Sequence, residues 1–253
     1  MENDAIGPDA GVGKRVEYGQ DYMAWKSWGH DSFGKLARTK ARYYDAELKR
    51  AGRPFPNGAR VLEIGFGNGS FLGYARMKGW EASGTEANAG LVELARQQGF
   101  DAHHVEDLSS FPGDAFDLVV AFDVLEHIPQ EVMPDFLLQV RRILKDKGCF
   151  LARFPNCDSP FGLVYQNGDP THVTAMGSKK VHFFAAKASM KVVYVGGEAQ
   201  PLAAVEGVVH LLHRMVAITL KRSLDAFVNV VFYPRGDIAF ASGIMTMICV
   251  VDK

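Results

Sequence analysis

Between residues 60 and 154 the chain alternates short apolar runs with amphipathic ones in a regular order. Arg60–Ile64 reads as a strand, and Ser70–Lys78 as a helix closed by Gly79. Trp80–Thr85 is a second strand, Asn88 caps a helix running to Gly99, and Phe100–His104 is a weaker third strand. Phe116–Phe122 is almost wholly apolar, the pattern of a strand buried on both faces. Met133, Phe136, Leu137, Val140 and Leu144 recur at helical spacing, with Pro134 in the first turn and Gly148 as the stop. Cys149–Phe154 is the fifth strand. This alternation predicts the α/β class: a doubly wound, mostly parallel sheet covered on both sides.

The flanks are less regular. Residues 1–17, rich in Gly and charge, are expected to form a flexible tail. The rest, residues 18–253, reads as one domain. Its segment 18–58 is aromatic and basic, with Tyr18, Tyr22, Trp25 and Trp28, and reads as a helical lid ended by the loop Gly52–Gly58. A core over residues 59–200 includes a helix at Ser178–Met190 and a strand at Lys191–Gly196. Residues 201–236 are a helical insertion built on the apolar-rich stretch Ala204–Phe232, and 237–253 return the terminal strand Ile244–Val251. Seven strands result.

Composition narrows the class. A hydrophobic content of 47% over 253 residues suffices for a sizeable core. The net charge of −1 gives no global attraction for nucleic acid, and none is expected as a partner. Cys149, Cys157 and Cys249 lack metal-ligand or redox-motif spacing, which fits reduced thiols and a cytoplasmic setting. The residues Met1–Asp4 begin no signal-like apolar segment, and no run of eighteen apolar residues suggests a membrane span.

The chemistry gathers at strand ends. Glu63-Ile64-Gly65-Phe66-Gly67-Asn68-Gly69 is a strand running into a glycine-rich turn and then a helix, a backbone able to approach a ligand closely. A dinucleotide fingerprint would place its third glycine at Ser70. Glu63 would repel a pyrophosphate, and it suits a ligand with a cationic amino-acid end. Glu86, about 20 residues past the loop, is placed to accept ribose hydroxyls. Asp107, after the third strand, is placed for an adenine amino group. Three carboxylates thus end three successive strands, where open parallel sheets bind ligands.

With these residues the region from Arg60 to Phe154 resembles the class I S-adenosylmethionine-dependent methyltransferase family. The run Phe116–Val120 followed by Asp123-Val124-Leu125-Glu126-His127-Ile128-Pro129 is similar to the fourth-strand motif of small-molecule O-methyltransferases, including ubiquinone-type enzymes. The resemblance implies S-adenosylmethionine as cofactor, with Glu63, Gly65, Phe66, Gly67 and Gly69 at its methionyl end. It places Glu86 and Ala87 at the ribose, Asp107 and Leu108 at the adenine, and Asp123 and Val124 beside the methyl-donor centre.

Methyl transfer to a hydroxyl calls for a base, and histidine titrates nearest neutrality. His127 follows the fourth strand, and His172 lies in the turn-rich loop Gly168–Val173 with Asp169 placed to orient it. The alternative for His127 is a helix-capping or pocket-lining role. Glu126 and His127 are neighbouring donors with no evident third, so no metal is expected. Arg153 and Asn156 end the fifth strand on the same rim and, with Tyr22 and Trp25 from the lid, are the acceptor-reading candidates.

Together with Asp158–Gly162 and the Gly168–Thr174 loop, this segment resembles methyltransferases of bacterial surface-polysaccharide biosynthesis. A saccharide or related small molecule is therefore the expected acceptor. A quinone-like phenol, a nicotinamide-dependent oxidoreductase and a non-catalytic cofactor-binding protein are the alternatives. The stretch 204–232 reads as a packed helix, a homodimer surface or a peripheral membrane contact.

Overall fold

The computed structural model describes residues 32–104, 108–202, 205, 207–234 and 236–253. Tyr18, Tyr22, Trp25, Trp28 and Asp107 lie outside them. The first described helix, α1 (Arg38–Lys49), precedes the alternating core. That core runs β1 (Arg60–Ile64), α2 (Ser70–Met77), β2 (Glu81–Glu86), α3 (Ala89–Gln97), β3 (Asp101–His104) and β4 (Phe116–Phe122). A single 3-10 turn, Leu125–His127, leads to α4 (Met133–Ile143) and β5 (Leu144–Pro155). Then follow α5 (Leu163–Asn167), α6 (Ser178–Lys187), β6 (Met190–Gly197), α7 (Val208–Phe232) and β7 (Ile244–Val251).

The seven strands form one sheet in the order β3-β2-β1-β4-β5-β7-β6. β1 to β5 are parallel, and β7 runs antiparallel between β5 and β6. The order reverses at β1, whose partners are β2 and β4, and a parallel sheet opens a crevice at such a point. Side-chain alternation sends Leu118 and Val120 to one face, where they pack with Tyr44 of α1 and Phe71 and Tyr74 of α2. Val119 and Ala121 face the other way, against Leu137 and Val140 of α4 and Val181 and Phe184 of α6. Cys149 and Cys249 are buried free thiols, and burial pushes both up to about 12.

Most elements lie where the apolar pattern predicts them, and two helices end earlier than it predicts. The helix over Met133–Ile143 ends before Gly148, and β5 begins at once at Leu144. Gly148 instead sits inside β5, where the register with β4 jumps from Phe116↔Leu144 to Leu118↔Cys149. The helix from Ser178 stops at Lys187 because Ser189 takes a left-handed backbone (φ 51°) that turns the chain into β6. Between β6 and β7 the described part of the insertion is the single helix α7, and Val228 is its one buried residue.

Candidate active site

The glycine turn meets the C-terminal ends of β1, β2 and β4. Gly65, Gly67 and Gly69 all have positive φ, at 66°, 50° and 70°. At two of them a side chain would also collide. A Cβ on Gly65 would lie 2.6 Å from Val124 Cγ2, and one on Gly69 2.7 Å from the Phe33 ring. Glycine therefore lets Val124, from the loop after β4, close directly over the turn.

Glu63 is buried, and its Oε2 accepts the Leu72 N–H at 3.1 Å. Glu86 spans two loops: Oε2 accepts the Gly67 N–H (3.0 Å), while Oε1 accepts those of Ala87 (2.8 Å) and Asn88 (3.1 Å). Burial raises the pKa of both carboxyls, and the charge of Glu86 adds to the rise at Glu63. Two acids sharing a low-dielectric crevice disfavour their own ionisation, and a cation lodged against them relieves the cost. An amino-acid group and a sulfonium satisfy that demand, whereas a pyrophosphate aggravates it.

Two candidates at this turn and its neighbourhood are corrected by packing. The Phe66 ring is in the core against Phe33 (5.9 Å, edge-on), so any ligand contact falls to its backbone. The Leu108 side chain is likewise buried in the core, and its carbonyl accepts from Arg142 Nη2 at 2.7 Å.

Asp123 follows β4 in a left-handed conformation (φ 58°). Its carboxylate takes a fork of two bonds from Arg153, with Nε to Oδ1 at 3.0 Å and Nη2 to Oδ2. Arg153 Nη1 also reaches Tyr43 Oη at 3.4 Å. Lys40 and Glu198 stand within electrostatic reach of this pair. Burial lowers the pKa of Lys40, with Arg153 acting in the same direction, and burial raises that of Glu198. Asn156 does not join the rim. It is fully buried, and its Nδ2 donates to the carbonyls of Ala239 and Ser242, both at 2.8 Å. The amide is spent on holding the β7 approach in place.

Two loops close over one another beside β4. The Val173 and Thr174 N–H groups donate to the Glu126 carbonyl at 2.9 and 3.0 Å, and Thr174 Oγ1 donates to the Ile128 carbonyl at 2.6 Å. This clamp sets the rings of His127 and His172 edge to face, 4.7 Å apart. Asp169 Oδ1 accepts Thr171 Oγ1 at 2.6 Å, and that hydroxyl lies 2.8 Å from His127 Nδ1. From His172 Nε2, Asp169 is 3.8 Å and Glu126 3.9 Å away, beyond hydrogen-bond length. The short bonds of Asp169 therefore point to His127, by way of Thr171, rather than to His172.

Both carboxylate oxygens of Glu126, and Nδ1 of His172, are buried without a hydrogen-bond partner. Glu126 is almost fully buried, and burial, with the charge of Asp123 adding to it, holds its pKa well above the carboxylate range. Local spacing offers Glu126 and His127 as two donors. The fold supplies a third, for ligand atoms of Glu126, His127 and His172 lie within 4.8 Å of one another.

A family described as a methyltransferase domain matches residues 36–190. A ubiquinone biosynthesis O-methyltransferase of Xanthomonas oryzae pv. oryzae is 29% identical over 117 residues, 42% of this chain and 48% of that protein. The chain thus spans about half the length of the curated relatives it matches. Among solved structures, a SAM-dependent methyltransferase from Archaeoglobus fulgidus superposes with a TM-score of 0.60 at 20% identity, covering 83% of this chain and 94% of the other. One from Mesorhizobium loti superposes with a TM-score of 0.53 at 15% identity, covering 88% and 100%. At such identities these two likenesses establish the fold. The family match goes further: the chain belongs to the methyltransferase-domain family.

Proposed function

We propose that the enzyme methylates a hydroxyl of a saccharide or related small molecule, with His127 as general base. The observation that carries this reading is the chain of hydrogen bonds from His127 through Thr171 to Asp169. The Thr171 hydroxyl has one proton. Given to Asp169, it leaves the oxygen to accept the Nδ1–H of His127. Neutral His127 then carries its lone pair on Nε2, the form a base requires.

Bound S-adenosylmethionine supplies an electrophilic methyl carbon on a sulfonium. Nε2 of His127 would take the proton of the acceptor hydroxyl, freeing an oxygen lone pair for the methyl group that the cofactor would supply. Asp169, acting through Thr171, stabilises the imidazolium that results. Glu63 and Glu86 would hold the cationic cofactor beside the glycine turn that Val124 closes over.

The rim of Lys40, Tyr43, Asp123, Arg153 and Glu198 favours a polyhydroxylated acceptor, because charged and polar groups exchange hydrogen bonds with hydroxyls better than with an aromatic face. The name of the Xanthomonas relative supports O-methylation and keeps a quinone-like phenol as the alternative acceptor. Mass spectrometry of glycans and small phenols after incubation with methyl-labelled cofactor decides between them. Label in phenols alone would remove the saccharide. The variant His127→Ala is expected to lower kcat by about 10²- to 10⁴-fold while calorimetry with S-adenosylhomocysteine stays unchanged. Undiminished turnover would dismiss His127 as base.

A second reading rests on the orphaned oxygens of Glu126. One carboxylate and two imidazoles form a donor set suited to zinc, manganese or ferrous iron. The Thr171–Asp169 chain would then orient His127 as ligand, as outer partners commonly do. Equilibrium dialysis against zinc or manganese followed by elemental analysis tests it. Stoichiometric metal lost in Glu126→Gln supports a metal centre; no retained metal, with activity indifferent to chelator, rejects it.

A further inference from the structure

The first half of α1 is tied to the crevice at the C-terminal edge of the sheet. Just before the helix, the Gly34 N–H donates to the Asn68 carbonyl in the glycine turn at 2.8 Å, and the Phe33 ring packs on Gly69. Tyr44 fixes the next turn, its buried ring 5.2 Å from those of Phe71 in α2 and Phe122 at the end of β4. Tyr43 beside it places its hydroxyl 3.4 Å from Arg153 Nη1. Lys40 lies one turn before these two rings, on the same side of the helix. Its Nζ sits 5.1 Å from the Tyr43 centroid and 5.3 Å from that of Tyr44. Two aromatic faces hold this ammonium in place.

The ammonium is uncommitted. Among the described residues it makes no ion pair and no hydrogen bond. The neighbouring cation, Arg153, has its own counter-ion in the Asp123 fork. Four charged groups from other parts of the sheet edge act on Lys40: Arg153 after β5, Asp123 after β4, Glu198 after β6 and Glu63 on β1. The three acids among them are near enough to be felt, yet none pairs with it. A cation partly withdrawn from water and left without a partner is costly, and a ligand anion relieves that cost. The surroundings limit the anion. A phosphate dianion would face Glu63, Glu86, Asp123 and Glu198 with a single free ammonium to hold it. A carboxylate brings one negative charge and two acceptor oxygens, which one ammonium can answer.

We propose that Lys40, held over Tyr43 and Tyr44, is a carboxylate-binding subsite of this crevice. Two molecules would bring such a group here. One is the cofactor, whose amino-acid end carries a carboxylate beside the ammonium that suits Glu63 and Glu86. The other is an acidic sugar acceptor, a uronate, whose hydroxyls suit the rim. The subsite rests on the methyltransferase reading of the crevice and is independent of the base, since binding alone reads it out.

Calorimetry and NMR titration test it and separate the two sources. Wild type and Lys40→Gln are each titrated with S-adenosylhomocysteine and with its decarboxylated analogue. Where the cofactor supplies the carboxylate, S-adenosylhomocysteine should bind the wild type about 10- to 100-fold more tightly than the analogue, the worth of one charge-assisted hydrogen bond. That gap should close in Lys40→Gln while affinity for the analogue does not fall, a pattern that a merely structural lysine does not give. Where the acceptor supplies it, wild type saturated with S-adenosylhomocysteine should prefer glucuronate to glucose. That preference should vanish in Lys40→Gln and return in part in Lys40→Arg. Either preference, if it depends on Lys40, supports the subsite and names its source. Preferences that survive Lys40→Gln overturn it, as does a wild type with no preference in either titration. Failure of the wild type to bind S-adenosylhomocysteine or its analogue at all would overturn the cofactor reading itself, and the subsite with it.

Discussion

At the scale of single residues, Glu63 carries the clearest consequence. Burial, reinforced by the charge of Glu86, holds its pKa well above the ordinary 4.5 in the folded chain. A carboxyl whose folded value is raised stabilises the fold fully below its ordinary value, and that contribution is lost as pH rises through the raised one. The ligand-free enzyme should therefore melt at progressively lower temperature as pH climbs above that of an ordinary carboxyl. Glu63→Gln can still accept from Leu72 and removes the ionisation, so its melting should depend less on pH. The same change should weaken S-adenosylhomocysteine about 10- to 100-fold in calorimetry, the loss of one charge-assisted hydrogen bond. A wild-type Tm flat across that range would contradict the raised pKa. Glu63 and Glu86 were legible because strand, turn and acid are consecutive in the chain. The burial of Asn156 was not, since the carbonyls that consume its amide belong to Ala239 and Ser242, beyond an insertion.

At the scale of elements, two contacts between loops decide whether the site assembles. Gly65 combines a left-handed backbone with a contact to Val124. In Gly65→Ala the backbone alone costs about 1 to 2 kcal/mol, and the new Cβ drives Val124 off the turn. Melting temperature and cofactor affinity should both fall in that variant. Adding Val124→Ala should recover the steric part and leave the backbone part; full recovery would mean that the backbone conformation carries no cost. The second contact is the Thr171 bridge. Thr171→Val keeps the shape and removes the hydrogen bonds, while the backbone bonds of Val173 and Thr174 to Glu126 still hold the loops together. Its kcat should fall roughly 10- to 100-fold with an altered pH–rate profile; an unchanged profile would show that the bridge only supports the loops. Periodicity located the strands and helices around both contacts. It could not pair His127 with His172, because forty-odd residues separate them and only the clamp between the loops brings the rings together. α5 also escaped, being a single short turn of helix with an exposed apolar side and no stripe to detect.

At the scale of the molecule, the question is whether the insertion belongs to the fold or rests on it. β6 and β7 are antiparallel neighbours, Gly197 opposite Met245, and the Glu198 N–H donates to the Ile244 carbonyl at 3.2 Å. The ends of the insertion therefore meet at a hairpin, the geometry from which a segment can be removed without moving either strand. The two core clusters across the sheet draw on β1, β4, β5 and β7 with α1, α2, α4 and α6, and neither includes α7. The apolar pattern anticipated seven strands and a helix between the last two. The antiparallel entry of β7 between β5 and β6 leaves no trace in that pattern, since a strand buried on both faces reads the same in either direction. Replacing residues 201–236 by a short Gly/Ser linker should thus preserve the sheet. The loss of Val228 should cost about 2 kcal/mol; the bonds of Asp225 and Asn229 to Ala241 and Ile238 go with the helix, while those of Asn156 and Ser159 should keep the segment around Ala239–Ser242 in place. S-adenosylhomocysteine binding should match that of the intact chain. Collapse of cofactor binding in a chain that still melts cooperatively would instead make α7 a structural support of the site, reaching it through the β7 approach.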